Sequence, residues 1–299
     1  MATTRRSVLQ STAMGLTALA VPALASPGSG KVFGGEAFRR AILRAEAESG
    51  GRLGVAVIDT ADGARVALRG DERGPLCSTF KFLLVAAVLG QVDAGREQLD
   101  RTVPITAADL LDNSPVTKAH VGRQGLPVST LCQAALIWSD NAAANLLLPG
   151  VGGPSGLTRY ARDLGDPATR LDRGEPAVGE ATPGDPRDTT TPKAMAANLE
   201  RILLGHALAP ASRRRLTDWL VDNRTGTHRL RAGLPTGWRI GDKTGSGSHG
   251  SANDIAILWP PGRAPLLVAT YLTGTTADPG RREAALAAVA RAIARAFDA

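Results

Sequence analysis

Between Glu36 and Glu48 the apolar side chains Phe38, Ile42 and Ala45 recur at helical spacing, which predicts an amphipathic helix. The pattern then changes. Leu53 to Asp59 is a short apolar run, Thr60-Ala61-Asp62-Gly63 carries turn residues, and Arg65 to Leu68 returns as the second arm of a hairpin. From Phe80 to Leu89 every residue is apolar except Lys81, so an apolar helix is expected from Thr79 onward. Further helices are expected over Thr130–Ile137, Ala142–Leu148, Pro192–Leu204 and Pro210–Asn223. Asp254–Trp259 and Leu266–Leu272 read as two strands joined at Pro260-Pro261-Gly262, and a last helix runs from Pro279 to Phe297.

Strand patterns thus lie near both ends of the chain, with helices between them. Hairpins supply the strands, so one mainly antiparallel sheet built from both ends is expected. Helices from the two termini would cover its faces, and the middle of the chain would form an all-helical lobe. The fold class is α/β of the α+β type, with the active site expected at the seam between lobes. Leu171 to Thr191 has no period and is rich in Pro, Gly, Asp and Glu. A stretch this long in a compact domain is an Ω-type functional loop or disordered. Arg173 and Asp188 either pair across its neck or stand as separate surface charges.

Composition narrows the class. The chain has 299 residues and 43% hydrophobic content, ample for a buried core. Aromatics make up only 4%, so aliphatic side chains and alanine must fill that core. The net charge is +7, but basic residues interleave with acidic ones and not with aromatics. A nucleic-acid surface is not expected. At the N-terminus Arg5-Arg6 precede an uncharged stretch reaching to Lys31, and Ala23-Leu24-Ala25 fits a small-residue cleavage site. Residues 1–25 read as an export signal, either of the twin-arginine kind or an ordinary secretory one. Gln10, Ser11, Thr12, Gly15 and Pro22 interrupt the apolar run, which argues against a permanent membrane anchor. Residues 26–299 would then be a single domain with two lobes, periplasmic or secreted. Export also allows Cys77 and Cys132 to form one disulfide.

The candidate chemistry begins at Ser78-Thr79-Phe80-Lys81. Residues three apart share a helix face, so Lys81 is expected beside the Ser78 hydroxyl. An apolar helix disfavours a charged lysine, and its amine can then accept a proton from a neighbouring nucleophile. Alone, this spacing also fits an N-cap serine and a lysine reaching for water. Two later segments change the weight: Ser139-Asp140-Asn141 after an apolar helical run, and Lys243-Thr244-Gly245 at a strand end. Each is weak by itself, and the ordered set of three is not.

From Glu36 to the C-terminus the sequence resembles the class A serine β-lactamases, whose motif set this is. The resemblance is carried by Cys77-Ser78-Thr79-Phe80-Lys81, Ser139-Asp140-Asn141, Leu171-Asp172-Arg173-Gly174-Glu175-Pro176, Arg187-Asp188-Thr189-Thr190 and Asp242-Lys243-Thr244-Gly245. It implies a β-lactam hydrolase that confers antibiotic resistance, is monomeric and uses neither cofactor nor metal. Its partner would be a small-molecule β-lactam. Ser78 would be the nucleophile, Lys81 a proton acceptor or relay, and Ser139 the donor to the leaving nitrogen, helped by Lys243. Glu175 would activate the deacylating water. Asn141 would bind the substrate acylamide, and Thr244, Gly245, Ser246 and Arg229 would line the place of its carboxylate. The backbone N–H groups of Ser78 and Ser246 would form the oxyanion hole.

Three positions depart from the common pattern. Gly179 stands where many members have an asparagine near the deacylating water. Asn113 stands where many have an aromatic at the site mouth. Gly247 stands where some carbapenem-hydrolysing members have a cysteine bridged to the residue before the nucleophile. Both thiols are therefore expected to be free, and the substrate range is the property these departures touch. A D-alanyl-D-alanine peptidase or a β-lactam sensor domain shares the three motifs, and Glu175 argues for the hydrolase.

Overall fold

A computed structural model of the chain describes Met1, Ala2 and residues 34–297. The expected export segment lies outside the described residues, apart from its first two. Helix α1 (Glu36–Ser49) leads into strands β1 (Arg52–Asp59) and β2 (Arg65–Leu68). At the other end come β7 (Arg239–Ser246), β8 (Ala252–Trp259), β9 (Leu266–Thr273) and α8 (Pro279–Arg295). These strands make one antiparallel sheet in the order β2-β1-β9-β8-β7. The two chain ends thus share a sheet, as the hairpin patterns require.

Register sorts the sheet into two faces. Val57 lies opposite Val268, and Val268 opposite Ala256. These side chains join a core with Phe38 and Ile42 of α1 and Leu286, Val289 and Ile293 of α8. The alternate positions Ala56, Ile58, Ile255, Ile257 and Ala269 belong to a second core shared with the middle of the chain. Both terminal helices therefore cover the same face. The cause is topological: α1 enters β1 and α8 leaves β9, and those strands are neighbours. The other face is covered by the helical lobe.

That lobe holds β3 (Gly74–Pro75), α2 (Phe80–Asp93), β4 (Thr102–Val103), β5 (Leu126–Pro127), α3 (Val128–Ile137), α4 (Asn141–Leu147), α5 (Gly153–Asp163), β6 (Thr189–Thr190), α6 (Pro192–Leu203) and α7 (Pro210–Val221). Every residue of α2 from Phe80 to Leu89 is buried, Lys81 included. At roughly 1.5–3 kcal/mol for each large apolar side chain, this helix is the most firmly anchored element near the site. Helix α5 has no counterpart in the hydrophobic pattern. It opens Gly153-Pro154-Ser155-Gly156, and only Gly156, Leu157 and Ala161 are buried. The short pairing of β3 with β6, and a bridge between Arg170 and Thr189, tie the ends of the aperiodic loop together. Among the described residues no helix is long and apolar enough to cross a membrane.

Candidate active site

Ser78 lies on a 3-10 turn, Cys77–Thr79, that runs directly into α2. Thr79 closes the turn by donating to Leu76 O at 2.6 Å, and Leu76 N donates to Asp188 O at 2.7 Å. The nucleophile's turn is thus tied to the aperiodic loop by main chain. Ser78 Oγ donates to Glu175 Oε1 at 3.0 Å, and Lys81 Nζ lies 2.9 Å from the same oxygen. The sequence placed Lys81 beside Ser78, and the carboxylate of Glu175 joins them.

Lys81 Nζ also donates to Ser139 O at 2.8 Å and Asn141 Oδ1 at 2.6 Å, with Ser139 Oγ at 3.4 Å. Burial lowers the Lys81 pKa from its ordinary value, and the Glu175 carboxylate partly offsets this. Lys243 Nζ donates to Ser139 Oγ at 3.0 Å and to Thr244 O at 2.8 Å. Its pKa is pushed well below the usual lysine value, first by burial and then by the nearby Lys81 charge. Ser139 Oγ therefore sits between two amines whose protons are weakly held. Ser139 itself has φ of +56°, a left-handed backbone at a non-glycine residue. Its neighbour Asp140 caps α4 and holds Val116 N and Thr117 N, each at 3.0 Å.

Glu175 comes from the loop Leu171–Thr191, which carries no regular element apart from a 3-10 turn at Ala177–Gly179 and the end of β6. Two polar devices hold it. Asn145 on α4 accepts from Glu175 N at 2.9 Å and donates to Glu175 O at 2.8 Å. Buried Asp188 takes Arg173 Nε at 2.6 Å and the backbone N–H groups of Asp172 and Arg173 at 2.7 and 2.9 Å. Arg173 and Asp188 thus pair across the neck, and Arg173 also reaches Glu180. The Glu175–Pro176 peptide is cis.

The opposite wall is β7 and the segment before it. Arg229 is buried and donates to Gly245 O and Asn253 O, each at 2.8 Å, and to Ser246 Oγ at 2.7 Å. Its guanidinium therefore reaches the edge of β7 where Thr244, Gly245 and Ser246 lie. Thr244 Oγ1 is 2.5 Å from Thr225 Oγ1, a hydroxyl that the motifs gave no reason to select. Arg231 is engaged as well: it pairs at 2.5 Å with Asp242, which is fully buried. Asn141 spends its side chain on Lys81 and on Asp112 O at 2.8 Å, which leaves one amide N–H uncommitted. Both cysteines are free and buried. A Cβ on Gly247 would lie 2.7 Å from Cys77 Sγ and 2.7 Å from Gly179 O, so only glycine fits this approach of loop to strand. Burial and the Glu175 charge push the Cys77 thiol up to about 12.

The ten residues given catalytic or binding roles from the sequence lie together, around Ser78 and the adjoining edge of β7. Asn145, Thr225 and Asn113 were not selected for the contacts they make here, because a single amide or hydroxyl on a helix or loop carries no spacing signal.

A model of the Beta-lactamase enzyme family matches residues 37–297. The β-lactamase OXY-2 of Klebsiella oxytoca is 45% identical over 258 residues, covering 86% of this chain and 89% of the relative. The β-lactamase L2 of Stenotrophomonas maltophilia is 50% identical over 242 residues, covering 81% and 80%. Among solved structures, an ancestral (GNCA) class A β-lactamase is 59% identical with a TM-score of 0.86, covering 87% of this chain and 100% of that one. A β-lactamase from Xanthomonas campestris is 54% identical with a TM-score of 0.85, covering 87% and 97%. The fold and the serine-centred site define an acyl-transferring hydrolase, and the chain belongs to the β-lactamase enzyme family, among its class A serine members.

Proposed function

We propose that the protein opens the β-lactam ring of penicillins and cephalosporins through an acyl-serine, and so confers resistance to them. The observation that carries this reading is one carboxylate oxygen, Glu175 Oε1, held 3.0 Å from Ser78 Oγ and 2.9 Å from Lys81 Nζ. Ser78 Oγ attacks the lactam carbonyl while its proton passes to the Lys81–Glu175 pair. The backbone N–H groups of Ser78 and Ser246 receive the developing oxyanion. As the C–N bond breaks, Ser139 gives its proton to the ring nitrogen and is resupplied through Lys81, with Lys243 stabilising the charge. Glu175 then takes a proton from water, whose oxygen adds to the acyl carbon. Ser78 leaves with that proton, and the opened acid departs.

Binding uses the other wall. Thr244, Ser246 and Arg229 hold the substrate carboxylate, Gly245 lets this edge of β7 pack against the turn that carries Ser78, and Asn141 holds the acylamide. With a β-lactam, the rival readings, a D-alanyl-D-alanine peptidase or a sensor, end at a long-lived acyl-serine. A base this close to the nucleophile favours hydrolysis. The protein acts as an exported monomer, periplasmic or secreted, through one catalytic domain of two lobes. It needs no cofactor or metal, because every proton transfer has a side chain within reach.

Turnover of a chromogenic cephalosporin by purified protein, with a slow β-lactam adduct mapped by peptide mass, tests the reading. Catalytic ring opening and an adduct on Ser78 are expected. A stoichiometric burst without turnover, or an adduct on Ser139, would overturn it.

A further inference from the structure

We propose that Asn113 is a positioning residue for Lys81 and Ser139: its side-chain amide fixes the carbonyl on which the Lys81 amine rests. This inference depends on the acyl-serine reading above. Asn113 Nδ2 donates to Ser139 O at 2.8 Å, and Lys81 Nζ donates to the same oxygen at 2.8 Å. A carbonyl has two lone pairs, and here each is assigned to one donor. The oxygen is thus aimed from two sides, one of them the exposed mouth of the cleft.

The backbone explains why this position needs aiming. Ser139 has φ of +56° and Asn113 has φ of +55°, so two left-handed residues lie side by side, joined by this hydrogen bond. Asparagine tolerates that conformation better than most side chains, and serine gains no such help. Asn113 O accepts from Asn141 N at 2.9 Å, so Asn113 grips the segment on both sides of Asp140. The remaining ties to this segment do not use the Asn113 side chain. Asp140 holds Val116 N and Thr117 N, Ser114 Oγ lies 3.3 Å from Ala142 N, and Asn141 Nδ2 reaches Asp112 O. Removing the amide therefore loosens one carbonyl without freeing the segment.

That carbonyl matters because it is one of four oxygens around the Lys81 amine, with Asn141 Oδ1, Glu175 Oε1 and, at the longer distance of 3.4 Å, Ser139 Oγ. Ser139 Oγ, the group that delivers the proton to the leaving nitrogen, sits on the same residue. A small rotation of the Ser139 peptide displaces both partners of the proton transfer while the carboxylate-binding wall of β7 stays as it is. The expected signature is a slower acylation step at nearly unchanged substrate affinity.

The test uses the whole protein and two variants. Asn113→Gly removes the donor and keeps the left-handed backbone free of strain. Asn113→Asp keeps shape and backbone tolerance but has no N–H. Single-turnover acylation by a penicillin is followed across substrate concentrations, alongside thermal unfolding. Both variants are expected to lose about three- to tenfold in the limiting acylation rate, the range for one neutral hydrogen bond. The half-saturating concentration should stay within about twofold and the unfolding temperature should match the parent. An unchanged rate in Asn113→Gly overturns the proposal. So does a loss confined to Asn113→Asp, which would be a charge effect, or a shift in half-saturation at constant rate, which would mean that Asn113 touches substrate. If the parent itself forms no acyl-serine, the underlying reading fails first, and the two failures are told apart.

Discussion

Helix α2 and the loop that carries Glu175 meet at one oxygen and are held by opposite means. Helix α2 delivers Ser78 and Lys81 from a segment buried on every side, positioned by non-directional apolar packing. The loop delivers Glu175 from a chain with almost no regular structure. Its position depends on the Asn145 amide, the Arg173–Asp188 pair and two short main-chain ties. Packing tolerates the loss of any one contact at a graded cost. A polar clamp with few members fails when one is removed, because the partner is left unsatisfied in a buried place. Damage to the helix should therefore appear as lost stability, and damage to the loop as lost turnover.

Asp188→Ala is the largest of these tests. It leaves Arg173 without its buried partner and two backbone N–H groups without an acceptor, a loss of about 3–5 kcal/mol for a broken buried pair. The loop should open locally rather than the whole domain unfold. Deacylation should fall by more than about a hundredfold, with a much smaller change in unfolding temperature, read by single-turnover kinetics and calorimetry on one preparation. Leu84→Ala tests the other side. Leu84 is fully buried on α2, and truncation should cost about 2–5 kcal/mol of stability. The turnover number of the folded fraction should change little. If both variants lost turnover alike, the contrast between the two regions would fail.

Arg229→Ala is expected to lower kcat/KM for penicillins by about 1.5–3 kcal/mol of transition-state binding, the range for hydrogen bonds to a charged group. Arg231→Ala serves as the neighbouring control. It should act on stability, because its partner Asp242 is buried and burial already raises that carboxyl's pKa. The smallest expected effect concerns the thiols. Two thiols should react with a disulfide reagent after denaturation. Neither should react readily in the folded protein at pH 8, since both thiols are buried and burial pushes their pKa values well up.

The two regions were also unequally legible. Helix α2, the terminal strands and the three motifs stand out in the sequence because apolar runs or fixed spacing mark them. The loop showed only the absence of a pattern. Arg173 and Asp188 stand at its two ends, but a pair and two separate surface charges read alike there until the resemblance to a family favoured the pair. Asn145 holds Glu175 through main-chain atoms, so nothing about Glu175's own side chain points to it. Helix α5 escaped because two glycines and a proline open it and few apolar residues follow. Both terminal helices lie on one sheet face because β1 and β9 are neighbours, a fact of strand order that no local pattern carries. Asn113 and Gly247 read as departures from a family pattern. The structure gives each a local reason: Asn113 donates to a carbonyl, and a side chain on Gly247 would collide with the Cys77 sulfur and a loop carbonyl.

The central claim is that a loop carboxylate frees a helix serine from its acyl group. Intact mass of Glu175→Ala, followed over time after mixing with a good penicillin substrate, tests it most directly. The variant should gain the mass of one penicillin within the first turnovers and keep it, while the parent returns to its own mass. Acyl-enzyme that disappears from the variant as fast as from the parent would contradict the account, because deacylation would then use another base.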